Sequence, residues 1–506
     1  MPTYLTPGVY VEEVDRGTKP IEGVGTAVAA FLGIAEKGPV GKATMIANWT
    51  QFVNVFGGFI PGAYLAHAVY GYFNNGGTLA YVVRIGGADG DGAEPTPIAE
   101  LKAKGGAATL KALPKPGAPD GINVQVTAAD DDSFTITVKA GTTEEKFEGL
   151  TLSRGAKNAL DVVNKQSTLI QLEELKVQGL SLAERAPAPG TYPLALPSQT
   201  TTALVPVTPA DYAGDVTQRD GLGGLEAVDE VTMVMAPDAM AAYQAGILDM
   251  DGLKAIQLAM IAHCERMGDR VAIIDTPPDL NAQEVQDWRM NTAGYDSKYA
   301  AMYYPWISVA DPTPGASSST ITIPPSGHIA GVWARNDSER GVHKAPANEV
   351  IRGVISLPIN LTNSEQSVLN PNGINCLRVF AGRGIRVWGA RTLSSDPSWR
   401  YLNVRRLFNY VEKSIERGTQ WAVFEPNDTL LWGKLRRDIN AFLRNVWREG
   451  ALFGQTPEQA FFVKCDEENN PQDTRDLGQL YVDIGIAPVK PAEFVIFRIG
   501  QYAPEV

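Results

Sequence analysis

Reactive and metal-binding side chains are scarce in this sequence. Three cysteines, Cys264, Cys376 and Cys465, stand far apart in 506 residues, so no CxxC pair or disulfide ladder can be written, and a reducing, cytoplasmic site of folding fits best. Four histidines, His67, His263, His328 and His343, leave little material for metal or acid–base chemistry. His263 and Cys264 are neighbours on a helical stretch and point about 100° apart, which prevents joint chelation. No HExxH, GxSxG or GxxxxGK[ST] occurs, so a hydrolase of a familiar kind is not expected. Basic residues are the minority: 44 Lys and Arg face 57 Asp and Glu, a net charge of -13, which argues against general affinity for nucleic acid or anionic membranes. The longest weakly polar run, 26–35, is about half of the roughly 20 residues that span a bilayer. Residues 1–14 carry neither a basic n-region nor an apolar h-region, so neither a secretory signal nor membrane insertion is expected.

What is present is an ordinary globular composition, 44% hydrophobic and 20% charged, in a chain long enough for about three domains at roughly 150 residues each. Pro7-Gly-Val-Tyr-Val-Glu-Glu-Val14 reads as a turn and a strand, and Glu493-Phe-Val-Ile-Phe-Arg-Ile499 as another. Strands so near the chain ends fray unless something pairs with them. A Gly/Asp-rich opening at 86–92 and a Pro-rich close at 187–209 mark an inserted domain, with strands expected at 122–127, 134–138 and 146–150 and a helical segment near 156–175. After it, apolar strands at 230–236, 270–275 and 299–305 alternate with helices near 253–267 and 282–290, which implies βαβ units and a largely parallel sheet. The fold class expected is therefore α/β and α+β, multidomain, with an α/β body and an inserted β-rich domain.

Two amphipathic helices follow. Val404, Leu407, Phe408, Val411 and Ile415 share one helical face. A second helix, opened by Asn427-Asp428-Thr429, buries Leu431, Leu435, Ile439, Phe442 and Val446 and lines Lys434, Arg437, Arg444 and Arg448 along the opposite side. Between Arg378 and Arg448 there are 14 Lys and Arg against six Asp and Glu, a local net of +8 that leaves -21 for the rest of the chain. A solvated face is the plain reading and contact with an acidic protein surface the functional one; the interleaved aromatics of single-strand nucleic-acid binders are missing. Gly221-Leu-Gly-Gly224 precedes a strand, Gly382-Arg-Gly384 lacks a third glycine, and Asp275 ends a strand without a companion lysine loop. All three read as turn features, not as phosphate or Mg²⁺ sites.

Several runs resemble contractile tail sheath proteins: Thr6-Pro-Gly-Val-Tyr-Val-Glu-Glu13, Pro20-Ile-Glu-Gly-Val-Gly-Thr26, Ile323-Pro-Pro-Ser-Gly-His-Ile-Ala-Gly331, Arg340-Gly-Val-His-Lys-Ala-Pro-Ala-Asn348, Val387-Trp-Gly-Ala-Arg-Thr-Leu393, Tyr401-Leu-Asn-Val-Arg-Arg406 and Phe424-Glu-Pro-Asn427. The likeness extends over most of the chain outside the insert and is first to sheaths of phage tail-like, extracellular contractile injection systems, with myophage and pyocin sheaths as alternatives. It implies an N-terminal arm (1–20), an α/β middle domain (21–87 and 210–345), an inserted β-rich outer domain (88–209), a C-terminal α+β assembly domain (346–488) and a C-terminal arm (489–506). It further implies hexameric rings of this chain stacked helically around an inner tube protein, with baseplate and terminal cap proteins at the ends. Terminal arms would add strands to neighbouring copies by β-augmentation.

On that basis Val9, Tyr10, Val11, Glu12 and Val14, with Phe494, Val495, Ile496, Phe497 and Ile499, are expected to carry polymerisation. Lys434, Arg437, Arg444 and Arg448 are expected to touch the inner tube. No cofactor, catalytic residue, direct nucleic-acid partner or membrane insertion is expected. Assembly would take place in a bacterial cytoplasm within a phage tail-like particle, with release by lysis. Two other classes remain open at this point: a non-contractile filament or surface protein using the same terminal strands, and a cytoplasmic α/β enzyme around Asp275.

Overall fold

The computed structural model describes residues 20–499 except 87–98, 104–107, 116–117, 120, 131–132, 142, 154, 176–184 and 195–205. The chain divides into two compact units, residues 1–89 with 203–506 and residues 90–202. The first unit is built on an eight-stranded sheet. Its strands are Val28–Gly33 (β1), Thr44–Ile46 (β2), Leu79–Arg84 (β3), Met233–Met235 (β4), Val271–Asp275 (β5), Ala300–Tyr304 (β6), Ile374–Phe380 (β7) and Gly384–Val387 (β8). They lie in the order β8-β7-β6-β5-β4-β1-β3-β2, parallel from β7 to β3 with antiparallel edges at β8 and β2. Runs such as Val-Ala-Ile-Ile-Asp and Ala-Ala-Met-Tyr-Tyr are apolar without alternation because both faces of a parallel sheet are covered, and every residue of β4, β5 and β6 is buried. The strand expected at 230–236 is shorter, beginning only at Met233.

Helices Leu65–Asn74 (α1), Met250–Met267 (α2) and Ser326–Arg340 (α3) cover the sheet. Asp249 caps α2 by accepting from the Gly252 N–H at 2.7 Å, and Gly268 closes it at a left-handed φ of 70°. α1 and α3 cross closely at glycines: a Cβ at residue 327 would sit 2.4 Å from the Ala68 Cα, and one at residue 331 would sit 2.5 Å from the Tyr72 carbonyl oxygen. The run Gly327-His-Ile-Ala-Gly331 is therefore a packing device.

The sheet takes β7 and β8 from beyond residue 346, so it crosses the line drawn at 345/346 and the two sides share one unit. The C-terminal segment's own elements are Leu402–Thr419 (α4), Thr429–Arg448 (α5) and an antiparallel pair, Phe461–Lys464 (β9) and Asp483–Ile486 (β10). α4 and α5 form a second core of Leu407, Val411, Ile439, Phe442, Leu443 and Val446. Asp428 caps α5, accepting from the Leu430 and Leu431 N–H groups at 3.0 and 2.9 Å. Among the described residues β9 and β10 pair only with each other, which leaves each one open edge.

The second unit holds a four-stranded antiparallel sheet of Gly190–Pro193, Asn123–Asp130, Ser133–Ala140 and Thr143–Leu150, and a three-stranded one of Ala99–Lys102, Ala108–Pro114 and Ile170–Glu174. Val124, Ile136, Leu150, Val163, Leu110 and Ile170 lie in its core. The helical segment expected at 156–175 is corrected here: the helix is Ala159–Gln166, and the chain then turns into a strand. The reason is the change of period, with Ile170 and Leu172 buried and Gln171 and Glu173 exposed.

Candidate functional site

The last described residues are tied down at one point. Glu493 receives Arg391 Nε on Oε1 at 2.9 Å and Nη2 on Oε2 at 2.7 Å, Asn370 Nδ2 on Oε1 at 2.7 Å and the Tyr401 hydroxyl on Oε2 at 3.2 Å. The Arg391 and Glu493 side chains are only 9% and 19% exposed. Burial pushes the Glu493 carboxyl up, but the hydrogen bonds from Arg391 and Asn370 and the Arg391 charge outweigh it and hold the pKa below the usual value. Just before this clamp, Asn403 donates to the carbonyl oxygens of Val489 at 3.1 Å and His343 at 2.8 Å. Beyond it the expected strand is not formed within the single chain. Phe494, Val495, Ile496, Phe497 and Ile499 are each at least 68% exposed, a row of apolar side chains on backbone that has no strand partner.

A second root lies at the other end of the chain. Val9, Tyr10, Val11, Glu12 and Val14 lie outside the described residues, but the segment that follows them is held by α4. The Val24 N–H donates to Ser414 Oγ at 3.1 Å, and Arg406 Nη2 donates to the Thr26 carbonyl oxygen at 3.0 Å. Gly23 lies against Tyr410, where a Cβ would come 2.1 Å from the hydroxyl oxygen. Arg406 also forms a bidentate pair with Asp337, at 2.9 and 2.6 Å, with side chains 3% and 4% exposed, and stands 4.8 Å above the Trp333 ring. Thr26 Oγ1 donates to the same carboxylate at 2.7 Å. Both roots thus meet one helix: Tyr401, its N-cap residue, serves the C-terminal root, and Arg406, Tyr410 and Ser414 serve the N-terminal one.

Lys434, Arg437, Arg444 and Arg448 are all exposed on α5. Arg437 Nε meets Asp438 at 3.0 Å; the other three have no ion pair among the described residues. The count of 14 basic against six acidic residues stands, but the remaining basic residues of 378–448 are not a uniform surface. Arg405 is 1% exposed, stacked 4.7 Å from Tyr299 and 4.5 Å from Trp399 and paired with Glu412 at 2.9 Å. Lys413 meets Asp269 and Glu416 at 3.3 Å, and Arg391 and Arg406 are consumed by the two roots. Sequence reasoning quoted Arg391, Tyr401, Asn403 and Arg406 inside the family-like runs but gave them no role.

The carboxyl ends of the parallel strands, where open α/β sheets bind ligands, carry capping carboxylates. Asp275 accepts from Ser326 N–H at 3.0 Å and Ser326 Oγ at 2.6 Å and starts α3; burial pushes it up to about 7 against those two bonds. Asp238, likewise raised to about 7 by burial, accepts from the Ile34 N–H at 2.6 Å, from the Leu65 N–H at 3.2 Å and from the Tyr64 N–H. Gly382 and Gly384 take φ of 69° and 78° in the β7–β8 hairpin, and Gly221–Gly224 form a buried short helix. His263 Nε2 faces Arg270 Nη1 at 3.3 Å, and all three cysteines are buried. Among the described residues no group of three or more His, Cys, Asp or Glu is placed to hold a metal, and no helix is long and apolar enough to cross a membrane.

Residues 220–393 match the family model of the phage tail sheath protein central domain, and 394–501 that of the phage tail sheath C-terminal domain. The tail sheath protein of Vibrio phage KVP40 is 32% identical over 34% of this chain and 26% of its own length, and that of Burkholderia phage BcepMu is 25% identical over 97% of this chain and 95% of its own length. The chain thus spans about a quarter of the first of these relatives and nearly all of the second. Among solved structures, the helical sheath of the anti-feeding prophage in its contracted state superposes with a TM-score of 0.60 at 25% identity, covering 99% of this chain and 100% of that one. Both roots, the clamp on Glu493 and the exposed row beyond it fall within or against the two matched regions, which together span more than half of the sequence. The chain belongs to the phage tail sheath protein family.

Proposed function

We propose that this chain is the subunit of a contractile sheath, polymerising helically in hexameric rings around an inner tube and shortening to drive that tube into a target. The observation that carries the reading is the exposed, unpaired row from Phe494 to Ile499 leaving a fixed clamp at Glu493, in a chain that also offers a two-stranded sheet with open edges. A strand of one copy on the β9–β10 sheet of the next is β-augmentation. At about 0.5–1.5 kcal/mol net per hydrogen bond, each junction contributes only a few kcal/mol, and repetition through a lattice supplies cohesion. The contracted helical sheath among the solved relatives supports the same reading. The segment containing Val9, Tyr10, Val11, Glu12 and Val14 takes the matching role from the other end, and the α5 face of Lys434, Arg437, Arg444 and Arg448 meets an acidic tube surface. Baseplate and cap proteins terminate the lattice, and assembly takes place in the cytoplasm without nucleotide hydrolysis. Deleting residues 1–14, or 494–506, should give a folded chain that forms no tubular sheaths in negative-stain micrographs. Intact sheaths from both deletions would sink the proposal.

A further inference from the structure

The loop between α4 and α5 holds an aromatic ring out into solvent from a left-handed backbone position. Phe424 has φ of 68°, a left-handed backbone that costs free energy for any residue except glycine, and its ring is fully exposed. Val423 and Leu430 beside it are 64% and 73% exposed. Phe424 lies four positions before the Asp428 cap, a reach of about 14 Å at most, so the ring stays near the start of α5. Leu430 shares the basic face: at about 100° per residue, Leu430, Lys434, Arg437, Arg444 and Arg448 fall within about 40° of a common line along α5. The exposed face of α5 thus begins apolar at Leu430 and ends basic, with the exposed Phe424 in the loop that leads into it.

We infer that Phe424 and Leu430 are the apolar anchor of the tube contact, inserting into a hydrophobic socket on an inner-tube subunit whose rim is lined by carboxylates. This rests on the assignment of the basic face to the tube. Leu430 lies on the same helix face as the four cations, which selects that occupant, and those cations are complementary to an acidic rim. Large apolar side chains at the centre of a contact carry most of its affinity, while rim charges set approach and register. The ring is held out at left-handed φ, so it enters the socket without rearrangement of the loop.

The test is co-sedimentation of the full chain with purified inner tubes at low and high salt. Phe424→Ser with Leu430→Ser should weaken binding at least about tenfold at both salt levels and leave the salt dependence intact. Lys434→Glu with Arg444→Glu should abolish the salt dependence instead. Phe424→Gly should raise the melting temperature, because glycine adopts φ of 68° freely, while lowering tube affinity, and Phe424→Leu should restore part of it. Serine variants that bind tubes as the native chain does, with the glutamate variant defective, would overturn the anchor and leave the tube contact standing. Serine variants that keep tube binding but lose self-association would overturn it in favour of a second copy. Undiminished binding by the glutamate variant would remove the tube assignment itself.

Discussion

Truncating Glu493 to alanine should release the C-terminal root without unfolding the body. The change strips Arg391 of both its carboxylate bonds and leaves a guanidinium that is 9% exposed facing no charge. Removing one partner of a fully buried pair costs about 3–5 kcal/mol. Glu493 is 19% exposed, and discounting for that solvent screening leaves about 2–3 kcal/mol. At about 1.4 kcal/mol per decade, the undocked population of 489–493 should rise 30- to 150-fold. Amide hydrogen exchange reads this directly, because the Val489 N–H donates to the Ala451 carbonyl oxygen at 3.2 Å and must open to exchange. Arg391→Met should produce a similar acceleration, and the double variant should show a coupling energy of about 2 kcal/mol. The folded-state pKa of Glu493 lies below its unfolded value, so the carboxylate's contribution is complete above the ordinary glutamate range and disappears as pH falls through the folded value. The difference between native chain and variant should therefore close in acid. Unchanged Val489 exchange in Glu493→Ala, or a coupling below about 0.5 kcal/mol, would refute the clamp.

Asp337→Asn breaks a pair whose side chains are 3% and 4% exposed and should cost about 3–5 kcal/mol in urea unfolding; a loss under about 1 kcal/mol would show that the pair is dispensable. His67 and His328 are buried with pKa values lowered by desolvation to about 4 and about 3. Their unfolded-state values lie at about 6.5, so the unfolded chain takes up protons first, and the stability they contribute is full above that value and lost as pH falls through about 4 for His67 and about 3 for His328. His67→Gln should make the decline in melting temperature between pH 6.5 and 4 shallower, and parallel profiles would exclude His67 as a source of acid sensitivity.

The body was legible because its signal is local. Ile273, Ala301 and Met302 sit in unbroken apolar runs that only a sheet covered on both faces can bury; in α4 the expected stripe holds for Val404, Leu407 and Val411, but Phe408 and Ile415 are half-buried and 402–407 are buried all round. Between 156 and 175 the same local signal misled, since eight helical residues run into an alternating strand within one window. The roots were not legible at all. Arg391 is separated from Glu493 by 102 residues and Arg406 from Asp337 by 69, so a charge tally along 378–448 counted as surface what folding converts into internal fastening. The exposed face of α5 was legible because its cations repeat at helical spacing, yet Phe424 gave no period to read. Its role emerges only from a backbone angle and an exposed ring.

The convergence of both roots on α4 has a mechanical consequence. An 18-residue helix is about 27 Å long; the C-terminal segment meets it at Tyr401, and the N-terminal segment meets it from Arg406 to Ser414, about 7 to 20 Å further along. A pull on the C-terminal segment reaches Arg391 and Asn370, which flank β7 and β8, as well as Tyr401 at the start of α4, while a pull on the N-terminal segment reaches α4 at Arg406 and Ser414. A load between the two segments is therefore shared between α4 and the β7–β8 margin of the sheet, so loosening α4 alone would not part them.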